Sequence, residues 1–174
     1  MHLLDNPIRS EQLLEKTVAI KHRFYASSSE PLDNQELLDW TVANGDQELV
    51  DRFLAHSLGY AENGGSHDIR AEIATLYDHR ISADNIVVFP GAQTGMTLTT
   101  LALLHSGDHA IVVTPSYQSL EEGIKYAGAD VSRVGLTPEN DWQVDVNAVA
   151  AAIKPNTKYL VFNDPHNPSG ALMT

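Results

Sequence analysis

The chain has 174 residues, 43% of them hydrophobic, which is enough for a sizeable core and suits one ordinary domain or half of a two-domain enzyme. Its 11 Lys and Arg against 23 Asp and Glu leave a net charge of −12, so nucleic acid and anionic membrane surfaces are repelled and neither is expected as a partner. The absence of Cys excludes disulfides, thiolate metal sites and Cys nucleophiles, and the first 16 residues lack the basic-then-apolar pattern of a secretion signal, so a cytoplasmic location is expected.

In chain order, residues 11–25 place Leu14, Val18, Lys21 and Tyr25 on one stripe and predict an N-terminal amphipathic helix. Residues 26–33 break it. Helical patterns resume over 31–40 and 46–58, followed by Gly59 and the Asn63-Gly64-Gly65 turn, and again over 69–77, where Ile69, Ile73 and Leu76 share a face. The first 80 residues therefore read as mainly helical.

The pattern then changes. Asn85-Ile86-Val87-Val88-Phe89 is a β-branched run closed by Pro90-Gly91, and it predicts a strand; residues 92–104 follow as a helix. Strands are predicted at 109–114, 129–134 and 158–162, separated by a helix over 119–126 and by the Val146, Val149, Ala150, Ile153 helical stripe. Four strands alternating with three helices require crossover connections, hence an α/β, three-layer α/β/α arrangement with a mostly parallel sheet. The longest weakly polar stretch, 96–104, is far short of the roughly 20 apolar residues that cross a bilayer.

In such sheets ligands sit beyond the carboxyl ends of the strands, where three loops stand out. Gly91-Ala92-Gln93-Thr94-Gly95 joins a strand to a helix, so it is either a tight turn or an anion site built on free N–H groups and the helix dipole. It lacks the Lys-Ser/Thr pair of a nucleotide P-loop and the spacing of a dinucleotide fingerprint. In Thr114-Pro115-Ser116-Tyr117 the tyrosine is either a core aromatic or a platform for a flat ring. In Asn163-Asp164-Pro165-His166-Asn167-Pro168-Ser169-Gly170, prolines flanking a His-Asn pair stiffen the backbone, and an Asn held at a strand end can donate to a ligand oxygen. The eight His residues are scattered without ligand spacing, so no metal site is expected. His166 reads as a loop-packing residue.

Together these motifs resemble the N-terminal half of the fold-type-I pyridoxal-5′-phosphate (PLP) enzymes, specifically the class I/II aminotransferases. The family carries a signature similar to Asn-Pro-His-Asn-Pro-Thr-Gly, here with Ser169 in place of Thr, and a stretch similar to Tyr60 through Gly65-Ser66-His67-Asp68-Ile69-Arg70, with Ile for Leu. The resemblance implies a large-domain fold of the PLP-dependent transferase type: residues 1–35 as an N-terminal helix and arm, and 36–174 as the N-terminal part of the PLP-binding domain. It implies that the backbone of Ala92 and Gln93, with the Gln93 or Thr94 side chain, holds the cofactor phosphate. Tyr117 would stack on the pyridine ring, and Asn167 would hydrogen-bond the 3′ oxygen. Thr114-Pro115 and Asn167-Pro168 are candidate cis peptides. The family's equivalent of Tyr60 reaches the phosphate of the neighbouring subunit, which implies a homodimer.

One departure bears on activity. None of the five lysines, Lys16, Lys21, Lys125, Lys154 and Lys158, stands in the Ser-x-x-Lys context that forms the family's Schiff base. The resemblance also places the acidic partner of the pyridine nitrogen and the substrate-carboxylate Arg beyond Thr174. The chain alone is therefore expected to be a truncated, inactive part of an enzyme that transfers an amino group between an amino acid and a 2-oxo acid, with no catalytic residue of its own. A PLP lyase, synthase or cyclase, and a non-catalytic remnant or interaction subunit keeping the scaffold, are the alternatives.

Overall fold

A computed structural model describes residues 30–78 and 80–174. The helix predicted over 11–25 lies outside these residues. The chain divides after Gly59, and each unit is built by itself.

Among the described residues the first unit holds two helices. Helix α1, Asn34–Ala43, starts at a capping box: the Asp33 carboxylate accepts from the Glu36 N–H at 2.8 Å while Glu36 accepts from the Asp33 N–H at 2.8 Å. Gly45, at φ 90°, turns the chain into α2, Gln47–Leu54, whose first turn is capped by Asp46. The helix predicted to reach Leu58 stops at Leu54. Leu58 is almost wholly exposed, so no apolar surface among the described residues holds another turn, and Ser57 and Gly59 are poor helix formers.

The second unit begins with the Tyr60–Ser66 loop and α3, His67–Thr75. Arg70 fastens this region, donating to the carbonyls of Gly65 (3.0 Å) and Ala83 (2.9 Å). The strand predicted at 85–89 is not in the sheet. Residues 83–85 form a 3₁₀ turn, and Val88 donates to Gly64 (2.8 Å) in an extended run without a ladder partner among the described residues. The close fit there explains Gly65: a Cβ on it would lie 2.9 Å from Val88 Cβ.

The remaining prediction holds with one-residue shifts. After α4 (Ala92–Leu103) come β1 (His109–Thr114), α5 (Ser119–Tyr126), β2 (Asp130–Gly135), α6 (Val146–Ala152) and β3 (Thr157–Val161). The order is β2-β1-β3, all parallel. Central β1 is buried along its length, as its unbroken Ala-Ile-Val-Val run requires. Its side chains alternate between two layers. Ala110 and Val112 pack with Leu104 and Ile124 in one core, whereas Val113 lies with Val146 and Val149 of α6 and Leu160 of β3 on the other face. Helices thus cover both faces, giving the three layers predicted.

Helix direction follows from the connections. Five residues separate the end of α4 from β1, and four separate the end of β1 from α5. Both run against the strands and touch where Gly123 meets Thr100, a Cβ on Gly123 lying 3.1 Å from it. Twelve helical residues rise ~18 Å, close to the ~20 Å of a six-residue strand, so the start of α4 lies level with the carboxyl end of the sheet.

Candidate functional site

Three segments converge on that end: the turn into α4, the β1–α5 connection and the loop after β3. Gly91 caps α4 at φ 93° and ψ 141°, a conformation that only glycine adopts without strain, and no side chain caps the helix. The N–H groups of the first turn face outward with the positive end of the dipole behind them. A Cβ on Gly91 would meet nothing within 4 Å, so the space before the turn is open. Ala92 and Gln93 are exposed. The Thr94 hydroxyl instead donates to the Pro90 carbonyl at 3.1 Å, which ties it to its own turn.

After β1, the Thr114-Pro115 peptide is cis and Tyr117 is half-buried just before α5. After β3, Asn167-Pro168 is also cis, and so is Asp164-Pro165, a third cis bond that sequence reasoning did not single out. Asn163 accepts the Asn167 N–H at 2.9 Å and Asp164 accepts the Met173 N–H at 3.0 Å, closing the loop on itself. Asn167 is exposed, its side-chain amide without a partner among the described residues.

His166 joins two of these segments. It is only 5% exposed; its Nε2 lies 2.7 Å from the Pro115 carbonyl and its Nδ1 2.6 Å from Ser169 Oγ. A carbonyl can only accept, so Nε2 carries a proton, and the Ala171 N–H donates to Ser169 Oγ at 3.2 Å, leaving that hydroxyl's own hydrogen for Nδ1. The ring also stacks on Trp142, with centroids 6.1 Å apart. Packing was the predicted role for His166. The bridge to Pro115, 51 residues upstream, has no signal in the sequence, and neither has Trp142.

The opposite end of the sheet is closed. His109, fully buried, is 2.6 Å from Thr157 Oγ1 and 2.8 Å from Ser132 Oγ, bridging all three strands. Burial, assisted by nearby Lys154, pushes its pKa below the ordinary value. Lys158 pairs with Asp108 at 2.8 Å and, with the His105 N–H, holds that carboxyl below the usual range. Lys154, just before β3, lies at this end too, and Lys125, on the last turn of α5, pairs with Glu121 at 2.6 Å. No described lysine therefore stands at the carboxyl end of the strands. Tyr60 is fully exposed, away from any described partner. Among the described residues no three His, Asp or Glu side chains are placed to hold a metal, and no helix is long and apolar enough to cross a membrane.

A parallel α/β sheet with an uncapped helix start and an aromatic at its carboxyl end presents polar and ring groups where folds of this class bind their ligands. Comparison with known proteins narrows the class: residues 25–174 match the family described as aminotransferase class I and II, and the chain belongs to it. Enzymes of that family depend on PLP. Arginine–pyruvate transaminase AruH of Pseudomonas aeruginosa is 36% identical over 129 residues, 72% of this chain and 33% of the relative. Methionine aminotransferase of Escherichia coli is 33% identical over 139 residues, 74% of this chain and 36% of that protein. Among solved structures, the E. coli YbdL structure, reported with a methionine aminotransferase function, superposes with a TM-score of 0.72 at 26% identity, over 100% of this chain and 45% of that one. Aspartate aminotransferase of Thermus thermophilus with maleate gives 0.71 at 25% identity, over 97% and 43%. The chain spans about a third of the length of the curated relatives it matches, and its fold is part of their α/β domain.

Proposed function

We propose that this chain is the cofactor-holding part of a PLP-dependent aminotransferase that moves an amino group between an amino acid and a 2-oxo acid. The observation that carries the proposal is the open, uncapped turn at Gly91 on the same sheet end as Tyr117 and Asn167, in a chain of this family. The residues fit the cofactor: the Ala92 and Gln93 N–H groups and the Gln93 side chain would take its phosphate. With the Thr94 hydroxyl on Pro90, Thr94 would contribute through its backbone unless that hydroxyl turns. Tyr117 offers a ring face and Asn167 a donor to the 3′ oxygen. When bound, PLP withdraws electrons from the carbon bearing the amino group and makes its C–H acidic.

This chain's own part is binding and orientation. Its described lysines stand at the far end of the sheet, and Lys16 and Lys21 lack the Ser-x-x-Lys context, so the Schiff-base amine and the group that carries the proton would come from sequence outside it. Tyr60, fully exposed on its loop, would reach the phosphate of a second subunit in a homodimer.

The test is a PLP titration of the full-length protein followed by mixing with amino acid and 2-oxo acid pairs. A stoichiometric cofactor absorption band and amino-group transfer are expected; a protein that takes up no PLP would refute the proposal. Borohydride reduction of this chain alone with PLP, followed by peptide mapping, should give no single dominant modified lysine.

A further inference from the structure

Asn167 and Tyr117 belong to loops far apart in sequence, and a cofactor held by both needs the loops in fixed register. Each loop is stiff by itself, yet adjacent strands alone do not fix the distance between irregular segments that leave them. His166 is the link. Its buried imidazole donates from Nε2 to Pro115 O at 2.7 Å, two residues before Tyr117, and it precedes Asn167 directly. The other nitrogen is held by Ser169 Oγ at 2.6 Å, and the ring rests on Trp142, so it has little freedom to turn. The main chain of His166 is held too: its N–H donates to Ala171 O at 2.8 Å and its carbonyl accepts from Gly170 at 2.7 Å. A residue needed only to fill space would not require a polar partner at each nitrogen and on a separate loop.

We infer that His166 is a positioning residue, which locks the Pro115 carbonyl to the loop after β3 and so sets Tyr117 and the Asn167 amide at one spacing for the cofactor. The inference rests on the proposed PLP function. It makes no contact with the cofactor a requirement, because the imidazole is buried and both its nitrogens are occupied by protein.

The experiment uses the full-length protein and four variants, with PLP affinity of the apo form, the spectral pKa of bound PLP and the melting temperature measured on each. His166→Phe keeps an aromatic ring against Trp142 but donates nothing to Pro115; PLP affinity should fall about tenfold, with a shifted spectral pKa. His166→Ala should do the same or more. His166→Gln can present its Nε2 donor to the Pro115 carbonyl and should recover most of the affinity. Ser169→Ala, at an exposed position, frees the ring at Nδ1 and should loosen PLP about threefold, which keeps the test available if the His166 variants do not fold. Wild-type-like affinity and spectral pKa in folded His166→Phe, or in Ser169→Ala where the others do not fold, would overturn the inference. So would melting temperatures that fall with no change in the cofactor readouts. A wild-type protein that binds no PLP would overturn the proposed function and this inference with it, whereas wild-type binding with unchanged variants overturns this inference alone.

Discussion

The two ends of one small parallel sheet treat polar groups in opposite ways. At the amino end, His109, Thr157 and Ser132 saturate one another, Asn156 donates to Gly107 at 2.8 Å, and Lys158 is neutralised by Asp108. At the carboxyl end, the first turn of α4 lacks a cap, Asn167 points its amide outward and Gly91 opens space in front of free N–H groups. Polar groups satisfied internally hold strands together, and polar groups held rigidly without partners are available to a ligand. Substitutions at the first end should move stability and leave cofactor affinity alone, and side-chain substitutions at the exposed positions of the second should do the reverse; only the strained backbone turn at Gly91 couples the two.

The largest stability effect is expected from His109→Leu, which removes both imidazole bonds that tie the strands together and leaves half-buried Ser132 Oγ without that partner, while Thr157 Oγ1 still accepts from the Lys154 N–H; about 2–3 kcal/mol should be lost in denaturant unfolding. The pH dependence has a definite sign. The folded pKa of His109 lies below its ordinary 6.5, so the unfolded chain binds the proton more readily. Stability from this group is complete above pH 6.5 and declines as pH drops below it, a decline that His109→Leu should remove.

Gly91→Ala sharpens the contrast from the other end. Its φ of 93° should cost about 1–3 kcal/mol of stability, and the displaced turn should weaken PLP binding as well, making it the one substitution expected to move both readouts. Glu121 comes next. The Arg133 guanidinium, and secondarily Lys125, hold its carboxyl down to about 2, against the opposing effect of burial. Its contribution is present above pH 4.5, the ordinary value, and is lost as pH falls from there toward 2. Because Arg133 and Lys125 are both more than half exposed, solvent screening reduces the effect of Glu121→Gln to about 1–2 kcal/mol, with no change in PLP affinity. Smallest are Tyr117→Ala and Asn167→Ala, each expected to weaken PLP binding by about 1 kcal/mol with little change in unfolding.

The sheet was legible because periodicity reports burial directly. The Ala110 to Val113 run gave the central strand, and the Val146, Val149 stripe gave the helix on its far face. The run 85–89 misled for the same reason: Val87 and Val88 lie against the Gly64-Gly65 turn and Phe89 against Gly95, and no described strand lies beside it. The three loops were legible from glycine, proline and their places after strands. What stayed hidden is contact between distant residues. Nothing local to His166 announces Pro115 or Trp142, and nothing local to His109 announces Thr157 and Ser132, because those pairings arise only once parallel register is set.

The most direct test is a crystal structure of the full-length protein with PLP, read for the position of the phosphate. Phosphate oxygens are expected within hydrogen-bond distance of the Ala92 and Gln93 N–H groups, with the ring over Tyr117 and its 3′ oxygen at Asn167. A phosphate bound elsewhere, with the turn at Gly91 left facing solvent, would contradict the proposed site.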